Sequence, residues 1–521
     1  SWLRARRAGD PAADRRLRAA LPEGPAPVGL RDVQRAIARE HGLAGWSALR
    51  EALADLALLQ RDPGELATEV LRSAWQGDPV AARRILARVP ALARHSLPLA
   101  AMSGDLDEVR RRLARDPDDA RVRGGPHDWE PLQYLAYGRL NDAAPHTVEI
   151  ATLVLDAGGD PAAAFDDGWG NAYTLLNGVI GQGESGRPPH PRADALVALF
   201  VDRGAPAYDP QVLYDTSLHD DDTHWLDVMW ARSDPDRWRA DRMAKRPILD
   251  YLLGNAVERG HSRRVGWLLD HGADPNALHA YAHVPVQAQA QLLGRVELAA
   301  LLEARGATPH RLVGVAAFQA AALRGDADEA RRLAAADPSC LTTHAPWAVA
   351  AQRDLDDVAA LLLALGLPVD LCPPDQKRAL HWAAQCGAVR VGRRLIAAGA
   401  DVDRRGGPYH GTPLGFALHF GQAAMVELLV PLRDVFGLAE AARLDRLAEV
   451  LREDPSRVHA RAPSGNSALF ALPDDEAAAV EVAELLRSHG ADPRATNAAG
   501  ETPAEAARRR GLLDAADALE A

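Results

Sequence analysis

The chain has 521 residues, with 72 acidic against 60 basic side chains, a net charge of -12 and an apolar share of 47%. This balance argues against a nucleic-acid partner, which needs a concentrated positive field, while the apolar share is ample for a packed interior. Cys340, Cys372 and Cys386 are too widely spaced for a disulfide framework, and no long charge-free apolar run or signal-peptide pattern appears, so the expectation is a soluble cytoplasmic protein with no membrane partner.

Six arginines (Arg4, Arg6, Arg7, Arg15, Arg16 and Arg18) crowd the first 20 residues beside Asp10 and Asp14. They read as a solvated helix face, with an anion-binding arm as the other reading. A Pro- and Gly-rich linker follows at 21–27. Beyond it Val33, Ile37 and Ala38 form one helical stripe, and Leu43, Trp46, Leu49 and Leu53 lead into a further helix. This front, residues 1–60, is expected to be a helical cap that protects the end of a stack. A docking module for another protein is the competing reading.

From residue 66 onward short patterns recur. A-x-x-G-D-x-x-x-x-R-R is seen at 75–85 and 101–111 and, one residue longer, at 321–332, with a looser copy at 441–451. Each is followed by a D-P or V-P pair, and each predicts a helical hairpin opening a block of repeats. Glycine-marked turns close apolar helical runs at 156–161, 202–206, 270–276, 304–309, 397–403 and 488–493. Glycine there suits a helix end that needs positive φ. Helix starts of the form G-x-T-P-L follow at 411–417 and 500–507, where threonine caps and Pro413 or Pro503 fits the first turn. The glycine pairs Gly272–Gly306 and Gly366–Gly399 are spaced by roughly 33–34 residues.

These turns, helix starts and spacings resemble the ankyrin repeat family, most clearly over 366–430 and 460–512. The segment R-E-H-G-L-A-G-W-S-A-L at 39–49 is similar to one that accompanies a loosely characterised group of bacterial ankyrin-like proteins. The resemblance implies an all-α fold, an ankyrin-repeat solenoid of stacked helix-turn-helix units behind the N-terminal cap. Residues 66–310 would be divergent repeats with insertions, 311–430 a repeat block, and 431–521 a C-terminal block and cap. The long intervals from Gly204 to Gly272 and from Gly399 to Gly490 must hold extra or distorted repeats. His381, at the position where the family's histidine supports a turn, is expected to be structural.

Four segments carry candidate site residues. In 124–140, His127 and Asp128 are placed on an exposed finger, Trp129 and Pro131 at a helix start, and Tyr134, Tyr137 and Arg139 on the helix, where aromatic rings and arginine suit recognition. A tyrosine-rich repeat core is the other reading of that segment. In 166–190, Trp169 marks a finger, a helix-like run spans 171–180, and a glycine-rich loop lacks the phosphate-loop pattern. Its length favours an insertion lining a cleft, with Glu184 and His190 as polar contributors. In 213–226, Tyr214 and Asp215 are expected at an exposed tip before a helix. His219 and His224 converge on a metal only if the helix breaks between them, and Asp221 or Asp222 is the expected cap of the helix carrying Trp225. In 404–421, Arg405, Tyr409 and His410 are surface contacts by resemblance.

The leading functional expectation is a non-enzymatic scaffold that binds a protein, or else a small molecule, on its concave face through Asp128, Trp129, Tyr134, Arg139, Trp169, Tyr214, Asp221, Arg405, Tyr409 and His410. No metal or other cofactor is implied. The alternative is an atypical small-molecule enzyme with a cavity in residues 124–226, in which His219, Asp215, Tyr137 and His127 perform acid–base proton transfer or cyclisation.

Overall fold

The computed structural model describes residues 11–20, 30–75, 78–140, 146–168, 170–183, 186–372, 376–408, 410–429, 435–462 and 464–520. Two compact units divide the chain: residues 1–289 with 297–309, and residues 290–296 with 310–521. Both are mostly helical. Among the described residues, two short antiparallel ribbons interrupt the helices, Ala164–Asp166 with Ala172–Thr174 and Arg242–Met243 with Arg246–Pro247.

The first unit opens with helices Pro11–Ala20, Leu30–Glu40 and Trp46–Gln60. Leu17, Val33 and Ala36 form a small core between the first two, and Arg16 pairs with Glu40 at 2.8 Å. Helix pairs follow. Within each pair the first helix stacks on the first helix of the next, so Leu97–Ser103, Pro131–Tyr137, Leu175–Ile180, Pro210–Ser217 and Ile248–Arg259 make one continuous row. The partner helices Leu106–Arg115, Thr147–Asp156 and Ala193–Asp202 make a second layer behind it. The fully buried residues Leu99, Leu132, Ile150, Val179 and Phe200 lie between the layers.

Local chemistry sets the helix boundaries. Aspartate before proline starts many helices. The Asp209 side chain accepts from the backbone N–H groups of Gln211 at 2.9 Å and Val212 at 3.1 Å, while Pro210 occupies the first turn. This start places Tyr214 and Asp215 inside the helix Pro210–Ser217, not at an exposed tip before one. The run 171–180 is also not one helix: Thr174 caps at its hydroxyl and Asn177 returns the bond to the Thr174 N–H, so the helix begins at Leu175 and Ala172–Thr174 is left as strand. Helix ends obey the glycine rule. Gly204 and Gly272 sit at φ of 108° and 102°, where a Cβ would be strained.

The second unit repeats the plan, with Ala345–Gln352, Ala379–Cys386 and Pro413–His419 in one row and Asp356–Ala364, Val389–Ala397 and Ala423–Leu429 in the other. The G-D hairpins end in 3-10 turns, Pro117–Arg121 in the first unit and Pro338–Thr342 and Pro455–His459 in the second. His381 is enclosed, its Nε2 3.2 Å from the Gly411 carbonyl and its ring edge-on to Phe416.

Burial pushes the His381 imidazole down to about 4, with the nearby Arg378 and Lys377 charges adding to the effect. The group is therefore neutral when folded but titrates near 6.5 when unfolded. Its contribution is complete above the unfolded value and is lost as pH falls from about 6.5 toward 4. Denaturant unfolding at pH 7 and pH 5 should show a loss of roughly 2 kcal/mol from this group. The loss should be absent from His381→Asn, whatever that variant's stability at pH 7.

Candidate functional site

A cavity of about 630 Å³ opens in the first unit, where the row of first helices meets the loops and ribbons that precede them. Each of four successive first helices supplies a wall residue: Tyr137 at the end of Pro131–Tyr137, Asn177 in Leu175–Ile180, Gln211, Tyr214 and Asp215 in Pro210–Ser217, and Tyr251 in Ile248–Arg259. Trp75 and Tyr173 add rings, and Tyr281, 66% exposed, lies at the rim. The volume falls within the range of ligand pockets.

The aromatic wall is one packed cluster. Trp75 meets Tyr137, Phe165 and Tyr173 edge-on at 5.7, 5.1 and 5.1 Å between ring centroids, geometries favoured by ring quadrupoles. The Tyr137 hydroxyl donates to the Thr174 carbonyl at 2.7 Å, and burial holds the phenol well above its ordinary value, so it stays protonated. The Tyr251 and Tyr281 hydroxyls meet at 3.1 Å.

The polar wall divides by charge. Asp215 is buried, and its carboxylate accepts from the Asn177 amide at 3.2 Å and the Gln211 amide at 3.0 Å. Asp167 accepts from the backbone and side chain of Asn171 at 3.2 and 2.9 Å. Arg187 is different. It is half-buried, donates to the Tyr137 carbonyl at 3.0 Å, and its guanidinium lies 5.6 Å from the Trp75 ring centroid and 5.8 Å from that of Tyr137. No carboxylate pairs with it among the described residues, and burial lowers its pKa.

Glycine makes this geometry possible. Gly181, at φ 68°, has no room for a side chain: a Cβ would stand 2.7 Å from the carbonyl oxygens of Arg187 and Pro188. Gln182 and Arg187 face each other in an antiparallel bridge, and both line the cavity.

The other sequence candidates are dispersed. Trp129 and Tyr134 are enclosed; the Tyr134 hydroxyl donates to the Gly124 carbonyl at 2.8 Å and ties down the finger. Burial pushes that phenol up to about 12. Asp128 sits at φ 53° with Arg123 3.3 Å away. His127 packs on Trp129 at 4.7 Å, and burial lowers its pKa. Arg139 donates to the carbonyls of Ala136 and Gly178 and joins neighbouring helices. Nε2 of His219 is bonded to the Gly183 carbonyl. Asp221 caps a different helix from the one expected, accepting from the N–H groups of Arg263 and Arg264, each at 3.0 Å, while Asp222 accepts from His224 N–H at 3.2 Å. His190 is buried and accepts at Nδ1 from the Arg192 N–H. In the second unit Arg405 lies over Phe436 at 5.0 Å, and His410 is exposed at φ 45°. Trp169, Glu184 and Tyr409 lie outside the described residues.

Thus Tyr137, Tyr214 and Asp215 come together, while Trp75, Tyr173, Arg187, Gln211, Tyr251 and Tyr281 join them unannounced. Arg187 had one signal, as the first charged residue after the glycines of the 181–186 loop. No group of three or more His, Cys, Asp or Glu among the described residues is arranged to hold a metal ion, and no described helix is long and apolar enough to cross a membrane.

Residues 347–436, within the second unit, match the family model described as ankyrin repeats (3 copies). The chain contains an ankyrin-repeat-like region. A stretch of 152 residues is 29% identical to cyclin-dependent kinase 4 inhibitor B of Mus musculus, covering 29% of this chain and 95% of that protein; the Rattus norvegicus counterpart is 28% identical over the same length. An ankyrin repeat domain from Acinetobacter baumannii aligns with 34% of this chain and 97% of its own at 20% identity, with a TM-score of 0.26. A chain from the complex of a predatory endopeptidase of Bdellovibrio bacteriovorus with an immunity protein aligns with 39% of this chain and 96% of its own at 22% identity, with a TM-score of 0.27.

Gly181→Val should force the backbone out of its left-handed conformation and drive the side chain into two carbonyls. The expected cost is roughly 1–3 kcal/mol. Hydrogen exchange should then show the amides of Gln182 and Arg187, which bond to each other across the bridge, losing protection before the rest of the first unit does.

Proposed function

We propose that the chain is a non-enzymatic recognition scaffold of ankyrin type, binding a protein on the concave face made by its first helices and the loops before them. On this reading residues 1–60 cap the repeats, and 66–310, 311–430 and 431–521 are successive repeat blocks. The observation that carries the proposal is the cavity itself: four consecutive repeat-like helices each contribute a polar or aromatic side chain to one opening. Rigid rings such as Tyr214, Tyr251 and Tyr281 offer large contact area at low entropic cost, as in binding hot spots. The ankyrin-repeat match at 347–436 supports the repeat identity. A relative that is by its name an inhibitor of a kinase supports action on another protein.

The polar groups of the cavity favour binding over turnover. The Tyr137 hydroxyl is committed to Thr174 and the Asp215 carboxylate is held by two amides. No imidazole lines the cavity among the described residues, and His219 lies outside that lining, bonded to Gly183.

Tyr281 is exposed and Tyr214 half-buried, so both can be truncated with the fold intact. The double variant Tyr214→Ala with Tyr281→Ala should keep its helical circular dichroism. It should weaken a partner captured by the wild-type chain by about 1–3 kcal/mol, roughly 5- to 150-fold in Kd. Partners retained equally by both proteins would move the recognition surface elsewhere.

A further inference from the structure

We infer that the cavity of the first unit is a receptor for a monoanionic carboxylate, the free C-terminus of a peptide chain or a free amino acid, with the carboxylate docked on Arg187. The inference rests on the proposed recognition face and names what that face takes.

Many arginines of this unit meet an acid: Arg84 and Arg88 pair with Asp55, Arg111 and Arg112 with Glu108, Arg203 with Asp156 and Arg232 with Asp202. Arg139 instead donates to the carbonyls of Ala136, Gly138 and Gly178, whereas Arg187 meets no acid among the described residues, although acidic residues outnumber basic ones in the chain. Among the described residues the one acceptor of its guanidinium is the neutral Tyr137 carbonyl, which engages a single N–H of a fork that carries five. A half-buried, unpaired guanidinium aimed into a cavity is a binding group awaiting an anion, because the charge has left much of its water and gained no counter-charge.

The walls select the kind of anion. Among the described residues, the other charged groups lining the cavity are Asp167 and Asp215. They repel a phosphate dianion, whereas a carboxylate carries one charge and matches the planar guanidinium fork with two parallel N–H···O bonds. Asp215 and Asp167 then face the rest of the ligand and accept from its N–H groups, in addition to the amides they already hold. A carboxylate with N–H donors a few bonds away is the chemistry of a peptide end or an amino acid. The rings of Trp75, Tyr173 and Tyr214 supply apolar wall for its side chain. A cavity of about 630 Å³ accommodates a group larger than a single carboxylate.

The test uses the full chain. Two sets of N-acetylated hexapeptides, randomised over their last three positions, end in a free carboxylate or in a carboxamide, and the free amino acids form a third set. Binding is read by affinity selection and then by calorimetry. Members of the free-acid set should bind, their carboxamide counterparts should not, and Arg187→Gln should weaken binding at least about tenfold, with Arg187→Lys between the two. Binding by free amino acids without peptides assigns the same site to a small carboxylate. Arg187→Gln should also show no fall in Tm, because it removes an unpaired, partly desolvated charge; a structural arginine would show one. Carboxamides binding as tightly as acids, binding indifferent to Arg187→Gln, or no binding by any set overturns the inference. Acids and carboxamides bound alike, but both weakened by Tyr281→Ala, would remove the role of Arg187 and leave the recognition face standing.

Discussion

The first unit depends on a row of helices too short to exist alone. Leu97–Ser103 and Pro131–Tyr137 have seven residues, Leu175–Ile180 has six and Pro210–Ser217 eight, well below the roughly 12 at which an isolated helix becomes even marginal in water. Each persists because it is clamped by the helix before it, the helix after it and a partner behind. Helix formation is here a consequence of stacking, so the unit is cooperative along the row. The cavity lies against this row and is lined by Tyr137, Asn177, Gln211, Tyr214, Asp215 and Tyr251 from four of its helices.

The same constraint explains the boundary chemistry. A helix of two turns has most of its N–H and C=O groups at an end, so its caps weigh more than its interior. Asp209 before Pro210, Thr174 with Asn177, and Thr502 with Glu505 each satisfy end groups from a side chain. The capping side chain can also serve its neighbours. Asp209 holds the Thr174 hydroxyl at 2.6 Å and so links the cap of one first helix to the cap of the next. Asp221 does the equivalent work at the start of Ser262–Asp270.

Much of this is legible in the chain, because caps and turns are local. The glycine turns at Gly204 and Gly272 and the Thr-Pro start at 412–413 follow from residues within one turn of one another, whereas the enclosed His381, bonded to the distant Gly411 carbonyl, was expected from the family resemblance. The strand Ala172–Thr174 was hidden because the decisive capping pair, Thr174 and Asn177, sits inside a segment whose apolar pattern also suits a helix. Tyr214 and Asp215 were misplaced because Asp209-Pro210 outweighs the turn-like D-T-S composition that follows. The cavity is harder still to read. Its residues come from many separate elements between Trp75 and Tyr281, and their approach depends on how many residues separate successive first helices, not on any local motif. Asp221, dense among acids and histidines, drew attention for chemistry, yet its carboxylate is occupied by a helix end.

Two devices keep the cavity open against the tendency of a stack to close its gaps. Gly181 and Gly183 remove side chains where the loop crosses the first helices: a Cβ on Gly183 would come within 3.2 Å of the Asp215 carboxylate, and one on Gly181 would strike backbone oxygens. The loop therefore lies close enough to wall the space without filling it. The second device is the hydrogen-bonded Asn177–Asp215–Gln211 group, whose amides hold a buried carboxylate in place and make collapse onto it costly. A wall fixed in this way is rigid before any ligand arrives, and a rigid wall gives up little entropy on binding. Arg187, stacked near Trp75 and Tyr137 and anchored to one carbonyl, is oriented in advance in the same sense. The stacking that makes the short helices possible thus also preorganises the polar groups that line the cavity.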